Sequence, residues 1–129
     1  MPLKITTEER KPGVFAARLA GRLDSTTSPA LDEKIKPFLK KGTRVLMLDL
    51  KGVDYISSMG LRTVLAARKA LQSHGGHVIL LHLQPQVAKV FELADILPKT
   101  SIFDSVESAD IFLEAVQNRE LLKDQDIPD

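Results

Sequence analysis

The sequence contains no cysteine, no tryptophan and a single tyrosine. Without cysteine there is no disulfide framework, no thiolate zinc site, no iron–sulfur cluster and no cysteine nucleophile. One tyrosine and no tryptophan leave no platform on which single-stranded bases could stack. Charge of one sign is missing as well. Eighteen basic residues stand against 17 acidic ones, a net +1, which does not suit a nucleic-acid coat. No apolar run approaches the ~18–20 residues of a membrane span. The opening stretch MPLKITTEERK lacks the apolar core of a secretory signal. Glycine-rich phosphate loops of the Walker or dinucleotide type are absent. What remains is 129 residues, 43% of them hydrophobic, a length that matches one domain of ~100–150 residues. The expectation is a soluble, cytoplasmic, single-domain protein with no metal or cofactor.

The segments alternate between strand-like and helix-like patterns. Leu3 and Ile5 alternate with Lys4 and Thr6, a half-buried strand, and Pro12-Gly13 supplies a tight turn into a second strand over Val14–Ala20, ended by Gly21. Ser28 before Pro29 reads as the cap of a first helix, with Asp32 and Glu33 in its first turn, Leu31, Ile35, Phe38 and Leu39 inward, and Lys40-Lys41-Gly42 as its stop. Val45–Leu48 is a continuous apolar run, expected at the sheet's centre and buried on both faces. A loop from Lys51 to Ser57 leads to a second helix over Met59–Ser73, with Leu61, Val64, Leu65, Ala67 and Leu71 inward. His74-Gly75-Gly76 stops it, and Val78–Leu81 forms another buried strand.

A third helix is expected over Gln86–Ala94, with Val87, Val90, Phe91 and Ala94 inward, and Pro98 prevents its continuation. Ile102-Phe103 reads as a short last strand. Asp104-Ser105-Val106-Glu107 has the form of a capping box opening a final helix, with Val106, Ala109, Leu113 and Val116 inward. The tail after Asn118, RELLKDQDIPD, carries net charge −2 and reads as frayed or a short helical extension. The order is ββαβαβαβα: an α/β domain over 1–117 with a mixed, mostly parallel sheet and helices packed against it, then a tail over 118–129. Contacts in such sheets gather at the carboxyl ends of the strands. Here the segments Gly21–Ser28, Lys51–Gly60 and Leu83–Gln86 meet there.

The most informative stretch is Asp49–Leu61. Ser58 sits where a loop becomes a helix, as cap or first-turn residue; that role alone is worth ~1 kcal/mol. Gly60 costs a helix ~1 kcal/mol relative to alanine, so either it packs tightly against the sheet or something else approaches the backbone there. His77 and His82 are five residues apart, which points them to opposite faces and away from a shared metal.

Three features together resemble the STAS domain, the fold of anti-sigma-factor antagonists: Ile56-Ser57-Ser58-Met59-Gly60-Leu61, Gly21-Arg22-Leu23-Asp24 after a strand, and the buried run ending in Asp49-Leu50. The resemblance covers residues 3–117. It implies a non-enzymatic interaction module that binds an anti-sigma factor acting as a serine kinase. The kinase releases the module by phosphorylating it, and a serine phosphatase reverses the step. Aligned on Gly60-Leu61, the acceptor is Ser58. Family members often carry Asp just before it, where this chain has Ser57, the alternative acceptor. Asp24 matches an acidic residue beside the acceptor, with a plain turn aspartate as the other reading. The partner surface implied is Asp24, Ser57, Ser58, Met59, Gly60, Leu61 and Arg62, reaching along the helix to Lys69, with Asp54 close by. A phosphate at a helix N-terminus meets free N–H groups, so the switch is expected to act at the surface without unfolding the domain. The other functions weighed are a constitutive STAS subunit of a larger assembly, such as a lipid-transport complex or signalling scaffold, and a small nucleotide-binding domain.

Overall fold

The computed structural model describes residues 2–96 and 106–125. Strand β1 (Lys4–Lys11) and strand β2 (Val14–Leu23) form an antiparallel hairpin in which Lys4 faces Ala20 and Ile5 faces Leu19. Gly13 makes the turn with φ +79°. Strand β3 (Val45–Ile56) lies parallel to β2, and strand β4 (His77–Leu81) parallel to β3, so the four-stranded sheet has the order β1-β2-β3-β4. Helices α1 (Ser28–Ile35), α2 (Ser58–Gln72), α3 (Pro85–Ile96) and α4 (Val106–Gln125) complete the domain. The core joins Leu46, Leu48 and Leu50 of β3 to Leu31 of α1, Val64 and Leu71 of α2, and Val87 and Val90 of α3. Phe15 and Phe38 stack beside it, ring centroids 4.5 Å apart.

Two strands run further than the sequence suggests. Gly21 does not end β2. It continues the strand in a positive-φ conformation (+125°), and β2 pairs on to Leu23. Residues 51–56 are not a loop either; they belong to β3. The reason lies in the register. Arg18 pairs with Asp49 but Ala20 with Gly52, and Gly21 pairs with Val53 but Arg22 with Tyr55. At both places β3 has one residue more than β2, the mark of a bulge. Leu50, Val53 and Ile56 therefore all point inward and are fully buried, although they stand three apart. Gly52 is needed because a Cβ there would lie 2.8 Å from Ala20 Cβ.

Several expected details differ. Thr27, not Ser28, is the cap of α1; Ser28 is already helical because its N–H and hydroxyl both donate to the Asp24 carbonyl. Asp32 and Glu33 lie beyond the first turn. The α-helix stops at Ile35, ahead of Lys40-Lys41-Gly42, since Pro37 has no N–H to extend it, and a single 3₁₀ turn over Lys36–Phe38 follows. The apolar runs are not buried on both faces: Val45 and Met47 are half-buried where Leu46 and Leu48 are fully buried, and Ile79 on β4 is 43% exposed. Among the described residues the helices pack on one face of the sheet, the face that carries Leu46, Leu48 and Leu50. On α3, Val87, Val90 and Phe91 face inward as expected, with Ala94 half-buried. On α4, Leu113 is buried and Val116 half-buried, and the helix runs on past Asn118 to Gln125. Pro98, the Ile102-Phe103 strand, the Asp104-Ser105 cap and the side chains of Val106 and Ala109 lie outside the described residues. No described helix is long and apolar enough to cross a membrane.

Candidate functional site

Ser57 caps α2. Its backbone is extended (φ −93°, ψ 175°) and its Oγ accepts the Gly60 N–H at 3.2 Å, satisfying one of the helix's orphan donors. Ser58 is the first helical residue. The Ser57 N–H donates to the Leu23 carbonyl at 2.8 Å, which ties the start of α2 to the end of β2. Gly60 makes this closeness possible. A Cβ on it would lie 2.7 Å from Leu23 O, 2.8 Å from Leu23 Cγ and 3.1 Å from Ile56 Cγ1. Of the two readings of Gly60, tight packing against the sheet is the one realised. A consequence is that neither hydroxyl is at an open surface: Ser57 is 3% and Ser58 6% exposed. The expectation of an openly exposed switch serine is corrected, because the helix start is drawn down onto Leu23. Of the other residues expected on the partner surface, Met59 and Leu61 are half-buried, and Arg62, Lys69 and Asp54 are exposed.

Asp24 opens the turn beside this cap. Its Oδ1 accepts the Thr26 hydroxyl at 2.7 Å, the Thr26 N–H at 3.0 Å and the Thr27 N–H at 3.1 Å. The Thr27 hydroxyl in turn donates to the Arg22 carbonyl at 2.7 Å. Arg22 places its Nε 3.7 Å from Asp24 Oδ2 and its guanidinium 3.9 Å above the Tyr55 ring. Asp24 therefore does the work of a turn aspartate, and it stands in sequence next to the residue that receives the Ser57 N–H. Partial burial pushes its pKa up, but the donors from Thr26 and Thr27 outweigh this and hold it below the ordinary carboxylate value. A depressed folded-state pKa gives stability that is present above the unfolded value of about 3.9 and is lost as pH falls through the folded one. Asp24→Ala is expected to cost about 1–2 kcal/mol at pH 7, with the deficit shrinking below about pH 4. Urea titrations at pH 7 and pH 3 measure it; a deficit equal at both would show that the charge plays no part.

Sequence reasoning missed the groups that hold the far end of β3. Pairing with β4 stops at Asp49. Beyond it, glutamine side chains take over. Gln84 Nε2 donates to Lys51 O at 2.8 Å and Gln86 Nε2 to Asp54 O at 3.0 Å. Gln117, only 1% exposed on α4, accepts the Ile56 N–H at 3.0 Å and donates to the Ile56 carbonyl at 2.8 Å and to Leu113 O at 3.1 Å. The signal for Gln117 was a polar residue four positions after the inward Leu113. Asp49 itself accepts the Lys51 N–H at 3.0 Å and lies 3.1 Å from His82 Nδ1. Burial acts against its ionised form, but these contacts prevail and its pKa is lowered. His74, His77 and His82 are exposed, and among the described residues no group of three His, Cys, Asp or Glu side chains is placed to hold a metal. A cleft of about 170 Å³ between α2, β4 and α3 and a shallow one of about 440 Å³ beside Asp49 both lack Ser57 and Ser58 among their lining residues.

A mixed sheet with helices on one face and a serine pair at the start of α2 matches a known domain class. The chain belongs to the STAS domain family, whose model matches residues 6–109. BtrV of Bordetella bronchiseptica, named a candidate anti-sigma factor antagonist, is 36% identical over 103 residues, 80% of this chain and 89% of BtrV. The anti-sigma-B factor antagonist of Staphylococcus aureus is 28% identical over 91 residues, 70% of this chain and 82% of that protein. Among solved structures, an anti-sigma factor antagonist from Mycobacterium paratuberculosis superposes with a TM-score of 0.63 at 21% identity, covering 87% of this chain and 94% of that one. Unphosphorylated SpoIIAA gives 0.61 at 24% identity, covering 70% and 83%. These structural likenesses are of fold.

Proposed function

We propose that the chain is an anti-sigma-factor antagonist, a non-catalytic, cytoplasmic module that docks on an anti-sigma factor through the α2 N-terminus and the Asp24 turn. The partner doubles as the serine kinase that ends the complex by phosphorylating Ser58, and a phosphatase restores it. The observation that carries the reading is the juxtaposition, through the Ser57 N–H to Leu23 carbonyl bond, of the serine pair with the Asp24 turn, in a chain 36% identical to a protein named as an antagonist. Ser58 is preferred over Ser57 because the Ser57 oxygen caps the helix through the Gly60 N–H, and modifying it would remove that cap.

The chemistry is consistent with an electrostatic switch. A phosphoserine carries about −1.5 to −2 charge. On the first helical residue it meets the N–H groups and positive dipole end of α2, and Arg62, one turn on and exposed, lies on the same helix face. Asp24, held ionised, stands on the other side. The fold tolerates the added charge, whereas a partner seated on Met59, Leu61 and the Asp24 turn would have to bury it. Incubating the protein with the anti-sigma factor from the same cell and ATP is expected to put one phosphate on Ser58 by mass spectrometry and none on the Ser58→Ala variant. Phosphate on Ser57 alone, or a stable complex with no transfer, would overturn the assignment.

A further inference from the structure

If Ser58 is the acceptor, the structure poses a problem that points to its own solution. A serine that is only 6% exposed as a residue must be presented before a kinase can use it. Presentation requires the segment from Ile56 to Gly60 to lift from the sheet. Among its holds are the Ser57 N–H on Leu23 O, the Ser57 cap and Gln117 on both main-chain groups of Ile56. The first two are contacts with the adjoining strand and within the helix start. The third comes from 61 residues away in sequence and from a single side chain.

We propose that Gln117 is a latch, a positioning residue that keeps the Ser58 segment closed and whose release presents the hydroxyl; the proposal rests on the reading of Ser58 as the acceptor. A side-chain amide suits the task better than a strand. Strand pairing is released only as a ladder, whereas one amide lets go of one residue. Gln117 Nε2 is shared between Ile56 O and Leu113 O, the latter on its own helix one turn back. When the strand end leaves, the amide keeps a partner, so opening leaves fewer buried groups unsatisfied than breaking a backbone pair would. Beyond Asp49 the outer edge of β3 has no strand pairing among the described residues, so on that side only side-chain contacts have to part, while the inner edge stays paired with β2 as far as Ile56.

The absence of native cysteine permits a direct test. A single thiol is introduced as Ser58→Cys, or as Ser73→Cys at an exposed position for control, and its reaction with a small aromatic disulfide reagent is timed. The thiol of Ser58→Cys is expected to react at least ~10-fold more slowly than that of Ser73→Cys, as a group exposed only by local opening. Adding Gln117→Met, which keeps the bulk but loses the amide, is expected to speed the Ser58→Cys reaction by ~5–30-fold and leave the Ser73→Cys reaction unchanged. Leu46→Ala, a core truncation at the other end of β3, is the control for general loss of stability and is expected to change the Ser58→Cys rate by less than ~2-fold. Equal acceleration by Leu46→Ala, or none by Gln117→Met, overturns the latch. Should Gln117→Met not fold, hydrogen exchange of the unaltered chain decides: the Ile56 N–H is expected to exchange ~100-fold faster than the Leu48 N–H, and equal rates overturn the proposal. Phosphate incorporation is a separate readout. Its failure with the thiol result intact would remove the acceptor reading and leave the latch standing.

Discussion

Replacing Gly60 by alanine is expected to destabilise the domain by about 2–4 kcal/mol, read as a fall in the urea midpoint at unchanged slope. Helix propensity alone predicts the reverse, since alanine is favoured over glycine by ~1 kcal/mol in a helix. The difference is geometric. The new Cβ would stand 2.7 Å from the Leu23 carbonyl oxygen and 2.8 Å from Leu23 Cγ, distances that folded proteins avoid. The helix cannot simply rise, because the Leu23 carbonyl is the acceptor of the Ser57 N–H, and Ser57 in turn caps Gly60. Relief at one contact breaks the next. The same displacement would move Ser58 and Met59, so partner binding is expected to fall together with stability. A change smaller than about 0.5 kcal/mol, the ordinary surface-substitution range, would mean that α2 is not seated on Leu23.

The second large effect concerns binding. Ser58→Asp is expected to weaken the complex with the anti-sigma factor by a hundredfold to a thousandfold, about 2.7–4.1 kcal/mol, while Ser58→Ala stays within a few-fold of the original. A carboxylate on the first helical residue is compatible with the helix dipole, so the loss of folding stability is expected to remain within about 1 kcal/mol despite the restricted space. Docking is different. The partner must desolvate that charge close to the Asp24 turn, whose carboxyl is already committed to Thr26 and Thr27 and cannot take up a proton cheaply. One buried charge without a partner supplies an effect of this size. Calorimetric titration of the three forms, with their melting curves alongside, separates the cases: tight binding by Ser58→Asp, or weak binding that follows unfolding, would each defeat the electrostatic account.

Much of the site was legible before the fold. Ser57, Ser58 and Gly60 stand out because hydroxyls and a glycine gather where a helix starts, and Asp24 because it matches the acidic residue that the STAS resemblance places beside them. Less legible were the ends of β2 and β3. Alternation of period two is what identifies a strand, and the two bulges in β3 shift it twice, so Val53 and Ile56 read as loop residues. Gly21 reads as a terminator because glycine with positive φ more often ends a strand than carries one through.

By itself the sequence determined the order of elements from β1 to α3, the inward arcs of α2 and α3, the compatibility of the chain with a STAS domain and the pair of serines at the head of α2. These follow from local chemistry, namely caps, turns and periodicity, which each segment carries within a few residues. Only the tertiary structure decided how closed the site is. The seating of Gly60 on Leu23, the burial of Ser58 and the grip of Gln117 on Ile56 depend on atoms brought together from distant parts of the chain. Whether a hydroxyl meets water or a neighbour is a property of that packing, and no local pattern encodes it.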